Sequence, residues 1–192
     1  MENIYTNEYL ATLLPAWNEG LRQEEALSVL PLQRDFYNAN LRYAKERTVV
    51  IISDAMRYEV GQELFARMQD DPKCSAQLNV QLGVLPSYTR LGMAALLPHR
   101  TLEMTDDFQV LVDGTLCDTL AGRQQVLQSY VPDSVCIQFD VIKSMKVADL
   151  RDVLTKRQVI YVYHNQIDAR GDKPNTEDEV HGFLTGIEHL IL

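Results

Sequence analysis

No run of apolar residues in this chain approaches the about 18 that a membrane-spanning helix requires. Residues 1–30 show no signal-peptide pattern either. Cysteine is scarce. Cys74, Cys117 and Cys136 are odd in number, widely spaced and form no Cys-x-x-Cys, which argues against a disulfide framework or a zinc knuckle. Basic residues are in deficit, 18 Lys and Arg against 27 Asp and Glu, for a net charge of -9. Such a chain does not wrap DNA or RNA by bulk attraction. A phosphate site stays open to it, because a bound cation outweighs a diffuse negative charge locally. Internal repeats and low-complexity stretches are missing as well. These absences lead to the expectation of a cytoplasmic protein without a membrane partner. What is present is a 46% apolar content over 192 residues, enough for one sizeable α/β domain or a domain with an arm.

Residues 1–46 read as a helical arm or connector. Leu10, Leu13, Leu14 and Trp17 have helical spacing, and Leu27, Leu30, Phe36, Tyr37 and Leu41 extend the pattern past Pro31. Trp17 is expected to pack against the domain. Residues 47–192 form the domain itself. Thr48 to Ser53 is an unbroken run suited to a strand buried on both faces, and Asp54 stands at its carboxyl end. Leu78 to Val84 is expected to be the next strand. Phe108 to Val112 follows, closed by the turn dipeptide Asp113-Gly114. A helix marked by Leu120, Val126 and Leu127 and running up to Val131-Pro132, a strand over Val135 to Phe139 and a helix through Val147 and Leu154 come next. Val159 to Tyr163 is a second fully buried strand. It is followed by His164, Asn165 and then Asp168 and Asp172, four apart across a glycine-containing turn. Thr176 and Glu179 have capping-box spacing before a last apolar helix pattern, which runs to Leu192 without a stop signal and so suggests truncation. Strand–helix alternation predicts an α/β fold with a mostly parallel sheet flanked by helices.

The chain is organised around Val84-Leu85-Pro86-Ser87-Tyr88-Thr89-Arg90, where hydroxyls precede a short apolar helix. Thr89 at that helix start is either a cap or, with a metal to lower its pKa, a phosphorus-attacking nucleophile. Asp54 is either a metal ligand at a strand end or a cap for the next helix. Arg90 is either a phosphate contact or a solvated residue. His164 and Asn165 either touch substrate or order their turn, and Arg57 and Glu59 are expected to pair with each other. Asp54, Thr89, Asp168 and Asp172 each follow a strand in this reading, so a parallel sheet gathers them at one edge. Their oxygens suit a divalent cation and phosphoryl chemistry.

Three segments, Ile51 to Glu59, Leu85 to Pro98 and Tyr163 to Lys173, resemble the PglZ domain of the alkaline phosphatase superfamily. The resemblance covers roughly residues 45–192. It implies an alkaline-phosphatase-like fold, a metal-dependent phosphatase or phosphodiesterase activity and a role in BREX, a bacterial phage-defence system, with other BREX proteins as partners. The substrate would be a phosphate ester, a nucleotide or a nucleic acid. It also implies residue roles: Asp54 as the first metal-binding aspartate, Thr89 as the metal-bound nucleophile, and Asp168 as the opening residue of a D-x-x-x-H metal motif. Asp172 stands where that motif has histidine. The site is therefore harder, and manganese or magnesium competes with zinc. No Asp-His dipeptide occurs, and His181 and His189 do not match the superfamily's later ligands. The resemblance thus implies the N-terminal part of the domain, an incomplete and weakly active or inactive fragment. The alternative is a non-catalytic interaction module in a defence complex, with the arm as docking surface. A plain α/β domain whose carboxylates only cap helices is the third reading.

Overall fold

The computed structural model describes residues 2–22 and 30–171. The apolar run at Thr48–Ser53 (β1) pairs in parallel with Val159–His164 (β6), which pairs in parallel with Ser134–Gln138 (β5), giving the order β1-β6-β5. Every residue of central β6 is buried. Its side chains alternate between the two faces, so the strand must be apolar throughout. Tyr161 and Tyr163 face one core with Leu91, Ala94 and Leu97, which also holds Val126 and Leu127. Ile160 and Val162 face the other, with Phe139 and Ile142 and the partly buried Leu150 and Val153. The buried Tyr161 hydroxyl is satisfied by donating to the Leu96 carbonyl at 2.7 Å.

The α-helices of four or more residues among the described residues are Ala11–Arg22 (α1), Phe36–Asn40 (α2), Tyr58–Asp70 (α3), Thr89–Ala95 (α4), Leu120–Tyr130 (α5), Phe139–Ser144 (α6), Val147–Thr155 (α7) and Gln166–Gly171 (α8). A small antiparallel sheet, Leu102–Met104 (β2), Val110–Val112 (β3) and Thr115–Leu116 (β4), packs beside α4 and α5. The Asp113-Gly114 turn joins β3 to β4, with both residues at positive φ (48° and 78°) as a two-residue hairpin requires.

Asp113 also clamps the hairpin to its surroundings. It accepts hydrogen bonds from the Arg100 and Thr101 amides and from the Tyr130 hydroxyl. Burial pushes its carboxyl up, but these bonds and the nearby His99 outweigh it and hold the carboxyl below the usual aspartate range. Its stabilising contribution is therefore complete above the unfolded value of about 3.9 and disappears as pH falls through the lower folded value. Asp113→Asn keeps the turn conformation and removes the charge. It should flatten the acid branch of the melting-temperature curve below about pH 4, read by circular dichroism from pH 2 upward.

Several expectations change here. Leu78 to Val84 forms no strand. Among the described residues its sole ladder contact is an isolated bridge, Leu82 to Leu32, because Pro31 and Pro86 bracket the pairing. Leu102–Met104 is a strand that sequence patterning passes over. Phe139 opens α6 rather than ending β5. Asp168 sits inside α8, not in a turn. Trp17 is 55% exposed, as are Leu13 and Leu14 at 45% and 48%, so the arm's apolar stripe is largely uncovered. Leu41, by contrast, is buried in the main core. Asp172 and the last helix pattern, with Thr176, Glu179, His181 and His189, lie outside the described residues.

Candidate active site

β1 delivers Asp54 to the carboxyl edge of the sheet. The Asp54 amide donates to the His164 carbonyl at 2.9 Å, extending the β1–β6 ladder by one bond. The chain then turns sharply. Ala55 takes φ 57°, uncommon for a residue with a side chain, and its amide donates to Asp54 Oδ1 at 3.0 Å. Asp54 does not cap the helix that follows: α3 starts at Tyr58 with Arg57 as its N-cap. Arg57 and Glu59 pair with each other at 3.2 Å on the surface.

Burial raises the Asp54 pKa, and the charge of Asp168 raises it further. The Ala55 amide and the Arg123 guanidinium pull it down. The topology thus brings Asp54 and Asp168 close enough to repel, one after β1 and one in α8 after β6. Two carboxylates in that relation are relieved by a cation between them.

Thr89 is the first residue of α4. Tyr88 is the N-cap and makes no side-chain cap bond. The Thr89 side chain is exposed and its hydroxyl has no hydrogen-bond partner among the described residues. The capping role is therefore not taken. Thr89, Asp54 and Ser53 line one cavity of about 820 Å³, whose lining also includes the apolar Ile51, Phe36 and Leu96. That arrangement joins a hydroxyl and a carboxylate in one opening at the sheet edge.

The remaining candidates divide. Arg90 pairs with Asp118 at 3.3 Å, so an incoming phosphate must compete for its charge. Asp118 is itself held by the Val110 amide. His164 is 1% exposed, with Nδ1 2.9 Å from Ser53 Oγ and its ring edge-on to Phe139 at 4.8 Å. Burial lowers its pKa, although Asp140 opposes this. In this position His164 ties the ends of β1 and β6 together. Asn165 is exposed, and its carbonyl accepts from the Ala169 amide to start α8. Asp172 is outside the described residues. Among the described residues no group of three or more His, Cys, Asp or Glu is assembled to hold a metal.

Sequence reasoning passed over Arg123. It is 7% exposed, donates to Met93 Sδ and lies 4.4 Å from the centroid of the Tyr163 ring. The aromatic face partly replaces the water this cation has lost. Its charge acts on Asp54, Cys117 and Cys136. The available signal was its place at i+3 from Leu120 and i-4 from Leu127, on the apolar stripe of a helix. Cys117 and Cys136 are not nucleophile candidates, since burial pushes their thiols up to about 11 and about 12.

Carboxylates and a hydroxyl gathered beyond a parallel sheet between two helical layers describe an alkaline-phosphatase-like α/β domain. The family profile of the BREX system PglZ alkaline phosphatase-like domain matches residues 35–189, and the chain belongs to the PglZ family. It is 38% identical over 187 residues to the alkaline phosphatase-like protein PglZ of Bacillus cereus (strain H3081.97), covering 94% of this chain and 22% of that protein. It is also 38% identical over 191 residues to the alkaline phosphatase-like protein BrxZ of Escherichia coli O9:H4 (strain HS), covering 93% of this chain and 22% of that one. The chain thus spans about a fifth of the length of these relatives. No solved structure matches it. No helix among the described residues is long and apolar enough to cross a membrane.

Proposed function

We propose that this chain carries the nucleophile side of a metal-dependent phosphoester hydrolase site, phosphatase or phosphodiesterase, serving bacterial phage defence. The observation that carries the reading is the sharing of one cavity by Asp54 and Thr89, with Asp168 near enough to raise the Asp54 pKa. The all-oxygen donors Asp54, Thr89, Asp168 and Asp172 would hold one or two divalent ions, manganese, magnesium or zinc, which supply charge neutralisation and a lowered hydroxyl pKa. Thr89 Oγ1 bonds to phosphorus as the bond from phosphorus to the leaving alcohol breaks. Its proton leaves to solvent, and the alcohol takes one up. Water then attacks the phosphothreonine, releasing phosphate and restoring the hydroxyl. The charge of Arg123 offsets part of the repulsion felt by Asp54. Other BREX proteins and a phosphate ester, nucleotide or nucleic acid are the proposed partners, in the cytoplasm.

A divalent-ion titration tests this. Manganese or magnesium at 100 times its Kd should stabilise the protein by about 2.7 kcal/mol, seen as a rise in melting temperature. Asp54→Asn should abolish that rise. Without metal the same change should be neutral or stabilising, because it removes a half-buried charge repelled by Asp168. The arm favours a second reading, an interaction module, because Tyr5, Tyr9 and Trp17 stay exposed on it. Absence of any metal-induced stabilisation in the intact B. cereus relative would favour that module over the enzyme.

A further inference from the structure

A second cavity, of about 650 Å³, shares a single lining residue, Gln33, with the cavity at Asp54 and Thr89. Gln33 is fixed at both ends of its amide. Its Oε1 accepts from the Val84 amide at 3.0 Å and its Nε2 donates to the Gly92 carbonyl at 3.2 Å. A volume of this size suits a small molecule. The apolar part of the lining includes Leu82, Leu91, Leu102 and Met104. Leu102 and Met104 alternate with Glu103 along β2, which keeps them on one face and the carboxylate out of the lining. The charged part is of one sign. Arg34 and Arg100, both exposed, stand in it with His99, and among the described residues no Asp, Glu or aromatic ring lines the cavity. Neither guanidinium has a hydrogen bond or ion pair among the described residues. His99 donates from Nδ1 to the Leu97 carbonyl at 2.7 Å, which leaves Nε2 for a further partner. In a chain of net charge -9 this is a local reversal of sign. The lack of an aromatic platform disfavours a stacked base.

We infer that this cavity binds a small organic anion with an aliphatic body. The anionic head meets Arg34, Arg100 and His99, and the aliphatic chain covers Leu82, Leu91, Leu102 and Met104. Two exposed guanidiniums without partners lose little by waiting in water. A ligand that carries both parts gains charge-assisted hydrogen bonds at the rim and apolar burial inside. A bare anion gains only the first and a neutral chain only the second. The inference does not rest on the hydrolase reading, because Asp54, Thr89 and Asp168 are absent from this lining.

An amide chemical-shift titration of the 192-residue chain with octanoate tests it. Saturable shifts are expected at Gly83, Leu91, Arg100 and Leu102, with Val50, Ile52 and Asp54 unmoved. Octanol lacks the charge and acetate lacks the chain, so each should bind at least about tenfold more weakly. Octylammonium, with the same chain and the opposite charge, should not shift these amides. Arg34→Gln combined with Arg100→Gln removes two exposed side chains that have no partner to lose. The melting temperature should therefore stay unchanged, while octanoate binds at least about tenfold more weakly and octanol binds as before. Octylammonium binding as tightly as octanoate would overturn the inference, as would full octanoate affinity in the double variant. Saturable shifts at Val50 and Asp54 in place of Leu91 and Leu102, or no saturable shift at all, would overturn it too.

Discussion

Thr89→Ala should lower phosphoester turnover by about a thousandfold or more in the intact PglZ protein, because a nucleophile's share of catalysis is rarely recovered by its neighbours. That loss corresponds to about 4 kcal/mol of transition-state stabilisation. Stability should hardly move. A capping threonine replaced by alanine costs about 1 kcal/mol, but here Tyr88 occupies the cap and the Thr89 hydroxyl bonds nothing described. The expected change in unfolding free energy is below about 0.5 kcal/mol, as for other exposed sites. The pair of outcomes discriminates: a cap would lose stability and keep activity, a nucleophile the reverse. Thr89→Ser should retain a measurable fraction of turnover. Hydrolysis of a p-nitrophenyl phosphate monoester and diester, with mass spectrometry for phosphothreonine, provides the measurement. Turnover equal to the parent's in the alanine variant would reject the assignment.

How far the site was legible in the sequence depends on the kind of signal each residue leaves. Asp54 was visible because Thr48 to Ser53 is an unbroken β-branched run, which marks a strand, although β1 lies at the edge of the described sheet with only Ile52 buried rather than in its centre. Asp168 was visible through the same logic at β6, although α8 begins at Gln166 and takes it into a helix. Leu78 to Val84 misled because its alternation of apolar and polar residues describes a suitable strand, not an available partner. Pairing is a tertiary fact, and among the described residues the segment's ladder contact is the single bridge from Leu82 to Leu32. The short strands β2 and β4 have too few residues to carry a period. Arg123 was hidden by its charge, since a guanidinium on an apolar stripe looks like a gap in the pattern until Tyr163 is seen beneath it.

Gly122→Ala should destabilise the domain by about 2 to 3 kcal/mol, within the usual cost of overpacking, while Gly61→Ala should stabilise it by about 0.5 to 1 kcal/mol. The two glycines lie in helices α5 and α3, and intrinsic propensity favours alanine at both. The surroundings decide the sign. A Cβ on Gly122 would lie 1.8 Å from the Leu116 carbonyl oxygen, far inside contact distance, and 3.0 Å from its carbon. That oxygen belongs to the main chain at the end of β4, so relief requires β4 and α5 to separate. The same helix holds Val126, Leu127 and Arg123 against the sheet, and Thr119 caps it by accepting from the Gly122 amide itself at 3.2 Å. Separation would therefore loosen the core wall and shift the cation that acts on Asp54. A Cβ on Gly61 meets nothing within 4 Å. Urea unfolding of both variants gives the comparison, and equal signs would refute the close packing of α5 on β4.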